Sequence, residues 1–229
     1  MPPQLMISFG LVTEGLTDQI VIENILAGYF NSPDLDIRQL QPERDKDNEN
    51  KSTYGGWTLV FNYCKSRDFQ EALQFIDYII IQIDTDVSED YNIPKQDENG
   101  EFTPQQLIEK VIEKFRGAIG DDFYSEYQQK IIFAISVHSI ECWLLPLYYT
   151  DSRKAKITNC LDTLNREVQK KHNFTIDANA KNPEYYRVIS AQYRKHKVLM
   201  KHYAENPSFK NFIEKIQSRD IKIGGEEDW

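Results

Sequence analysis

Four acidic residues stand just beyond apolar, strand-like runs. Glu14 follows the run 5–12, Asp84 and Asp86 follow 78–83, and Glu141 follows 130–137. If those strands are parallel neighbours, their carboxyl ends share one rim, where open α/β sheets place their ligands. Glu14, Asp84 and Asp86 gathered there would repel one another unless a cation compensated them. Carboxylate oxygens suit Mg²⁺ or Mn²⁺, and Mg²⁺ keeps several waters and is commonly completed by substrate phosphates. The chemistry of such a centre is phosphoryl transfer or phosphodiester cleavage. Glu14, Asp84 and Asp86 are therefore the expected metal ligands. Glu141 joins them as a fourth candidate for the catalytic set.

Each residue also has a plainer reading. Glu14-Gly15 makes a strand-to-helix turn, and Asp84-x-Asp86 is common by chance in acidic chains. Glu141 suits an exposed first helical turn, where the dipole favours a carboxylate. His138 reads as a hydrogen-bonded histidine rather than a base, Trp143, Leu144 and Leu145 as core, and Gly55-Gly56 as a turn. The site reading rests on the combination of order, strand-end placement and spacing.

The elements that must position these residues follow from patterning. Run 5–12 is apolar without helical period and reads as a buried strand. Thr17 suits a helix N-cap with Asp18 in the first turn, and Ile20, Val21, Ile25 and Leu26 form an apolar face. A short strand is expected over 36–40, an exposed polar loop over 42–53, and one helix over 57–75. Tyr78-Ile79-Ile80-Ile81-Gln82-Ile83 reads as a strand covered on both faces. Thr103 and Pro104 start a helix that should end near Gly117 or Gly120. Helices are expected over 153–172, 183–204 and 208–218, with fraying at the last residues. The alternation predicts an α/β domain over 1–150, a mostly parallel sheet of about four strands flanked by helices, followed by a helical C-terminal segment over 151–229.

Composition bounds the reading. The 229 residues are 40% hydrophobic and 28% charged, enough apolar material for a core. No spanning helix and no secretory signal are expected, so a cytoplasmic protein without membrane contact is the default. Cys64, Cys142 and Cys160 are odd in number and lack CxxC spacing, which argues against disulfides and zinc. The net charge of −9 is uneven: about −14 over 1–150, +7 over 151–202 and −2 beyond. Such a basic segment could meet phosphates, although charge runs are often only solvated faces.

Val12-Thr13-Glu14-Gly15-x-Thr17-Asp18 and Ile81-Gln82-Ile83-Asp84-Thr85-Asp86 resemble the TOPRIM domain of topoisomerases, DnaG-type primases and overcoming-lysogenization-defect nucleases. Ile135-Ser136-Val137-His138-Ser139-Ile140-Glu141-Cys142-Trp143-Leu144-Leu145 is similar to a segment of compact, single-domain bacterial TOPRIM-like proteins, many of them near mobile-element or defence genes. Gly55-Gly56 and Asn206-Pro207-Ser208-Phe209 also resemble that group. The resemblance covers 5–18, 77–88 and 131–147 and is loose elsewhere. It implies a Rossmann-like TOPRIM fold. It also implies Glu14 as metal ligand or general acid/base, Asp84 and Asp86 as metal ligands, and Glu141 as a second-metal ligand or orienting residue, with Asp18 a lesser polar position. Neither a zinc-binding nor an ATPase segment accompanies these motifs, so a whole topoisomerase or primase is not expected.

The resulting expectation is a Mg²⁺- or Mn²⁺-dependent nuclease acting on nucleic acid, DNA ahead of RNA, in anti-phage or mobile-element defence. A separately encoded ATPase is the natural protein partner. Two other readings compete. One is a degenerate, non-enzymatic sensor or adaptor in a larger complex. The other is a haloacid-dehalogenase-like phosphatase with Asp84 as nucleophile in Asp84-Thr85-Asp86-Val87-Ser88, whose family places that strand first in the chain.

Overall fold

The computed structural model describes residues 7–44 and 56–223. Most of the expected 42–53 loop, Gly55 and the last residues lie outside them. Four strands form one parallel sheet: β1 (Ser8–Val12), β2 (Asp36–Gln41), β3 (Tyr78–Asp84) and, later in the chain, β6 (Ile131–Ser136), in the order β2-β1-β3-β6. The sheet is α/β in kind and flanked by helices on both faces, as its apolar strands demand.

The first connection covers one face and the next two cover the other. Helix α1 (Leu16–Tyr29) links β1 to β2, while α2 (Trp57–Cys64) and α3 (Arg67–Phe75) link β2 to β3. The expected single helix over 57–75 is thus two helices. Ser66 interrupts it and accepts a hydrogen bond from Phe69 N at 3.2 Å, because a serine caps a new helix better than it continues an old one. Beyond β3, β4 (Gln96–Asp97) and β5 (Gly100–Glu101) form a small antiparallel hairpin ahead of the next helix. Then α4 (Pro104–Ile119) starts on a Thr103–Gln106 capping box and ends at Gly120, whose φ of 96° favours glycine. Helix α5 (Asp121–Tyr127) leads to β6.

Strand parity sorts the core into two layers. Ile79, Ile81, Ile83, Phe133 and Ile135 pack under α2, α3 and α4. Phe9, Leu11, Ile80, Ile132 and Ala134 face the opposite way, towards α1 and the C-terminal helices. Those are α6 (Glu141–Leu144), α7 (Cys160–His172), α8 (Pro183–Ser190), α9 (His196–His202) and α10 (Pro207–Gln217). Short 3-10 turns at Ser152–Ala155 and Ala191–Arg194 replace parts of the longer expected helices. This second layer runs without a break from Phe9 to Ile216, centred on buried Trp143, which stacks on Phe209 and Phe212 at 5.1 and 5.4 Å. The C-terminal segment is therefore the cover of one sheet face.

Two further expectations are corrected. Helix α1 begins after Gly15, in extended conformation, and not at a Thr17 side-chain cap; Thr17 is already helical and buried. Cys142 and Cys160 form a disulfide with Cα atoms 5.0 Å apart, leaving Cys64 as a buried thiol. The contact is tertiary, between α6 and α7, which sequence spacing alone does not reveal. Among the described residues, no helix is long and apolar enough to cross a membrane.

Candidate functional site

From β1 the chain moves outward to β2, then returns to the other side of β1 to lay down β3. The order reverses between β1 and β3, and the crevice beyond their carboxyl ends is where such sheets bind ligands. Glu14 and Asp84 flank that crevice.

Glu14 is fixed by the turn that follows β1. Its main-chain carbonyl accepts a hydrogen bond from Gly56 N at 2.7 Å, and Thr13 Oγ1 donates to Gly15 O at 2.9 Å. Glu14 Oε1 accepts from the main-chain N–H of Asp84 at 2.7 Å. The two strand ends are thereby tied together by one carboxylate.

Gln82 tightens the same tie. It is a fully buried polar residue within an otherwise apolar strand, and parity places it on the same face as Asp84. Its Oε1 accepts from Glu14 N at 3.2 Å, and its Nε2 donates to Asp84 Oδ1 at 2.9 Å. Tyr91 donates its hydroxyl to Asp84 O at 2.9 Å. Asp84 is consequently buried and held on both its side chain and its main chain.

Asp18 joins from the first turn of α1 and is also buried. A side chain at Gly15 would place its Cβ 3.1 Å from Asp18 Oδ2, which is why glycine suits the turn. Glu141, in α6, is 1% exposed. Its Oε1 forms an ion pair with Lys181 Nζ at 2.7 Å and accepts a short hydrogen bond from Tyr186. Lys181 lies just before α8 and Tyr186 within it, so the C-terminal segment completes the rim.

Asp86 sits differently. It is exposed, and its Oδ1 accepts from Val87 N at 2.8 Å, bracing its own turn. His138 braces that turn from just beyond β6: its carbonyl accepts from Thr85 N and Asp86 N, and its N–H donates to Thr85 Oγ1 at 2.8 Å. His138 has φ 63°, a left-handed conformation uncommon outside glycine, held by these three bonds. The structure thus gathers Glu14, Asp18, Asp84, Glu141 and Lys181. Asp86 is left at the outer edge, close enough to act on Glu14 through its charge.

The electrostatics record crowding. Burial, and then the neighbouring charge of Asp18, push Glu14 up to about 8, against the opposing hydrogen bond from Asp84 N–H. Burial, and then Glu141, raise Asp18 to about 6, although Lys181 acts against the shift. Burial, Asp18 and Glu14 push Asp84 well above the carboxylate range. Glu141 goes the other way: burial disfavours its charge, but Lys181 and hydrogen bonds from Lys181, Ser139 and Tyr186 hold it below its ordinary value. Burial also disfavours charge on Lys181, yet Glu141, Asp18 and Asp84 together raise it. One lysine thus serves four acids, three of them buried and Glu14 half-buried.

Among the described residues, no three acidic, histidine or cysteine side chains already stand in a metal-ligand arrangement. The donor chemistry nonetheless fits a hard divalent cation. Every acid offers oxygen, and the lysine is engaged by Glu141. Ser136, the register partner of Asp84 on the same sheet face, keeps its buried hydroxyl without a hydrogen-bonding partner. Lys181 and Tyr186 leave no signal in the sequence, because nothing local marks a residue that closes a site from a distant segment. Gln82 does leave one: an amide amid isoleucines in a fully buried strand.

Comparison with protein-family models finds no match, and comparisons with curated proteins and with solved structures find none either.

Proposed function

We propose that the chain is a TOPRIM-type, Mg²⁺- or Mn²⁺-dependent nuclease cleaving phosphodiester bonds in nucleic acid. The observation that carries this reading is the half-buried Glu14 with the buried Asp18 and Asp84 at the switch point, under-compensated by a lysine already paired to Glu141. Glu14, Asp18 and Asp84 would hold the cation, with the Ser136 hydroxyl beside Asp84. The chemistry such a cation supplies when bound is charge neutralisation on the phosphate and acidification of an attacking water. Gln82 orients Asp84 for that role, and its amide also fixes the main chain of Glu14. Lys181 is partly solvent-accessible, so its ammonium can meet a phosphate oxygen while remaining anchored on Glu141. Asp86, at the exposed edge, would meet substrate or a second cation.

A defence role, a separately encoded ATPase partner and a cytoplasmic setting belong to the same proposal. In a reducing cytoplasm the Cys142–Cys160 pair would be held as thiols. The test is cleavage of supercoiled plasmid and a labelled single strand with Mg²⁺, Mn²⁺ or EDTA, beside Asp84→Ala. Metal-dependent cleavage lost in the variant supports the reading. Absence of cleavage under every condition, from folded protein, sinks it in favour of a binding module.

A further inference from the structure

Four rings line up from Tyr148 into the basic segment beside the site. Tyr148 meets His172 edge-on at 6.2 Å, His172 lies against Phe174 at 5.8 Å, and Phe174 stacks on Tyr185 at 3.9 Å and 15°. All four are partly exposed. Tyr148 is fixed by its hydroxyl, which lies 3.2 Å from His172 Nε2 and donates to Ile189 O at 3.2 Å. Lys171 holds its ammonium over the Tyr148 ring at 4.7 Å. At the other end, Tyr185 is the chain neighbour of Tyr186, whose hydroxyl binds Glu141. The ladder therefore ends one residue along α8 from the tyrosine that binds Glu141.

We propose that this ladder is a stacking platform for single-stranded nucleic acid feeding the carboxylate site, an inference that rests on the nuclease reading. Two features carry it. Three of the four rings, His172, Phe174 and Tyr185, lie in the stretch with a strong positive excess, +7 over 151–202 in a chain of net −9, which favours phosphates there. Partly exposed aromatic rings beside cations are what unpaired bases use, an incoming base extending the stack or replacing one ring in it, since every base has a π-face and stacking tolerates any sequence. A duplex keeps its bases stacked on one another and cannot use the rings. The substrate class is thus a single strand, with bases on the Phe174–Tyr185 end and phosphates towards Lys171.

The test measures binding apart from cleavage. Fluorescence anisotropy of labelled oligo-dT, oligo-rU and a hairpin duplex is followed with the full chain in EDTA. Both single strands should bind more tightly than the duplex, and any preference between them identifies DNA or RNA. Phe174→Leu and Tyr185→Leu keep apolar bulk but lose the ring, and each should weaken single-strand binding roughly tenfold while the protein, somewhat less stable for the lost stack, stays folded at the assay temperature. Lys171→Ala should lower the salt dependence by about one phosphate contact. Equal affinity for strand and duplex, or wild-type binding by both leucine variants, overturns the proposal. Strand binding that needs the rings, without cleavage when Mg²⁺ or Mn²⁺ is restored, sustains the platform and sinks the nuclease reading. Cleavage with ring-independent binding does the reverse.

Discussion

Lys181 pairs with the buried Glu141 carboxylate at 2.7 Å, so a residue from the basic C-terminal segment neutralises an acid seated beyond the last strand of the sheet. Buried ion pairs are costly to break from one side, because the remaining charge is left in a poor solvent. Lys181→Ala should therefore destabilise the protein by about 2–4 kcal/mol, at the lower part of the usual range because the lysine side chain keeps 29% of its exposure. Adding Glu141→Gln should recover part of that loss. Urea denaturation of both single variants and the double variant measures the coupling. Strict additivity would show that the pair contributes nothing as a pair.

The crowded acids set a pH dependence. Glu14, at about 8, and Asp18, at about 6, bind protons more tightly folded than at their ordinary values of 4.5 and 3.8. Their contribution to stability is fully present below the unfolded values and is lost as pH rises through the folded ones. Metal-free protein should thus lose stability between about pH 4 and 8. Glu141, shifted down, contributes in the opposite sense, with stability lost on acidification. Glu14→Gln should flatten the alkaline part of the slope. Denaturation midpoints across this range in EDTA decide it, and an unchanged slope in Glu14→Gln would remove Glu14 as its source.

The positions of these acids were partly legible in the sequence. Strand-end placement, taken with order and spacing, points to Glu14 and Asp84, because apolar runs in an α/β pattern end on a common rim, and the switch point does lie between their strands. Glu141 was legible as acidic, but the plainer reading of an exposed helical residue fails, since it is buried against Lys181 and Tyr186. Asp86 was legible by spacing from Asp84, yet strand alternation ends at the turn and leaves its carboxylate on Val87 N. The Cys142–Cys160 contact and the docking of Lys181 are tertiary events between segments with no shared local pattern.

A cation should relieve the same crowding. Millimolar Mg²⁺ or Mn²⁺ should raise the melting temperature, since a ligand at a hundred times its Kd stabilises by about 2.7 kcal/mol. The effect should grow with pH, because protons leave Glu14 and Asp18 on binding. Asp84→Asn should abolish the response and raise the stability of the metal-free protein by removing one buried acid from the cluster. Differential scanning fluorimetry with and without EDTA reads both. A wild-type protein that melts identically with Mg²⁺, Mn²⁺ and EDTA would count against these acids as a cation site.

The docking of the C-terminal helices depends on a glycine far from the acids. A Cβ at Gly28 on α1 would come within 1.8 Å of the Tyr193 carbonyl oxygen, main chain that cannot swing aside as a side-chain tip can. Nearby, Asn24 donates to Ser190 Oγ at 2.7 Å, and Tyr193 donates its buried hydroxyl to the Trp143 carbonyl. Helix α1 and the 3-10 turn at Ala191–Arg194 thus approach at backbone distance. Gly28→Ala must push that turn away, and α8 with it, although alanine is the better helix former. The expected cost is about 1–3 kcal/mol, as for overpacked cores. Because α8 carries Tyr186, the displacement should also loosen Glu141, with faster amide hydrogen exchange over 183–202 than over β1 and β3. Exchange measured by mass spectrometry separates the outcomes. Uniform protection together with unchanged stability would mean that the close approach is not a constraint on how the segment docks.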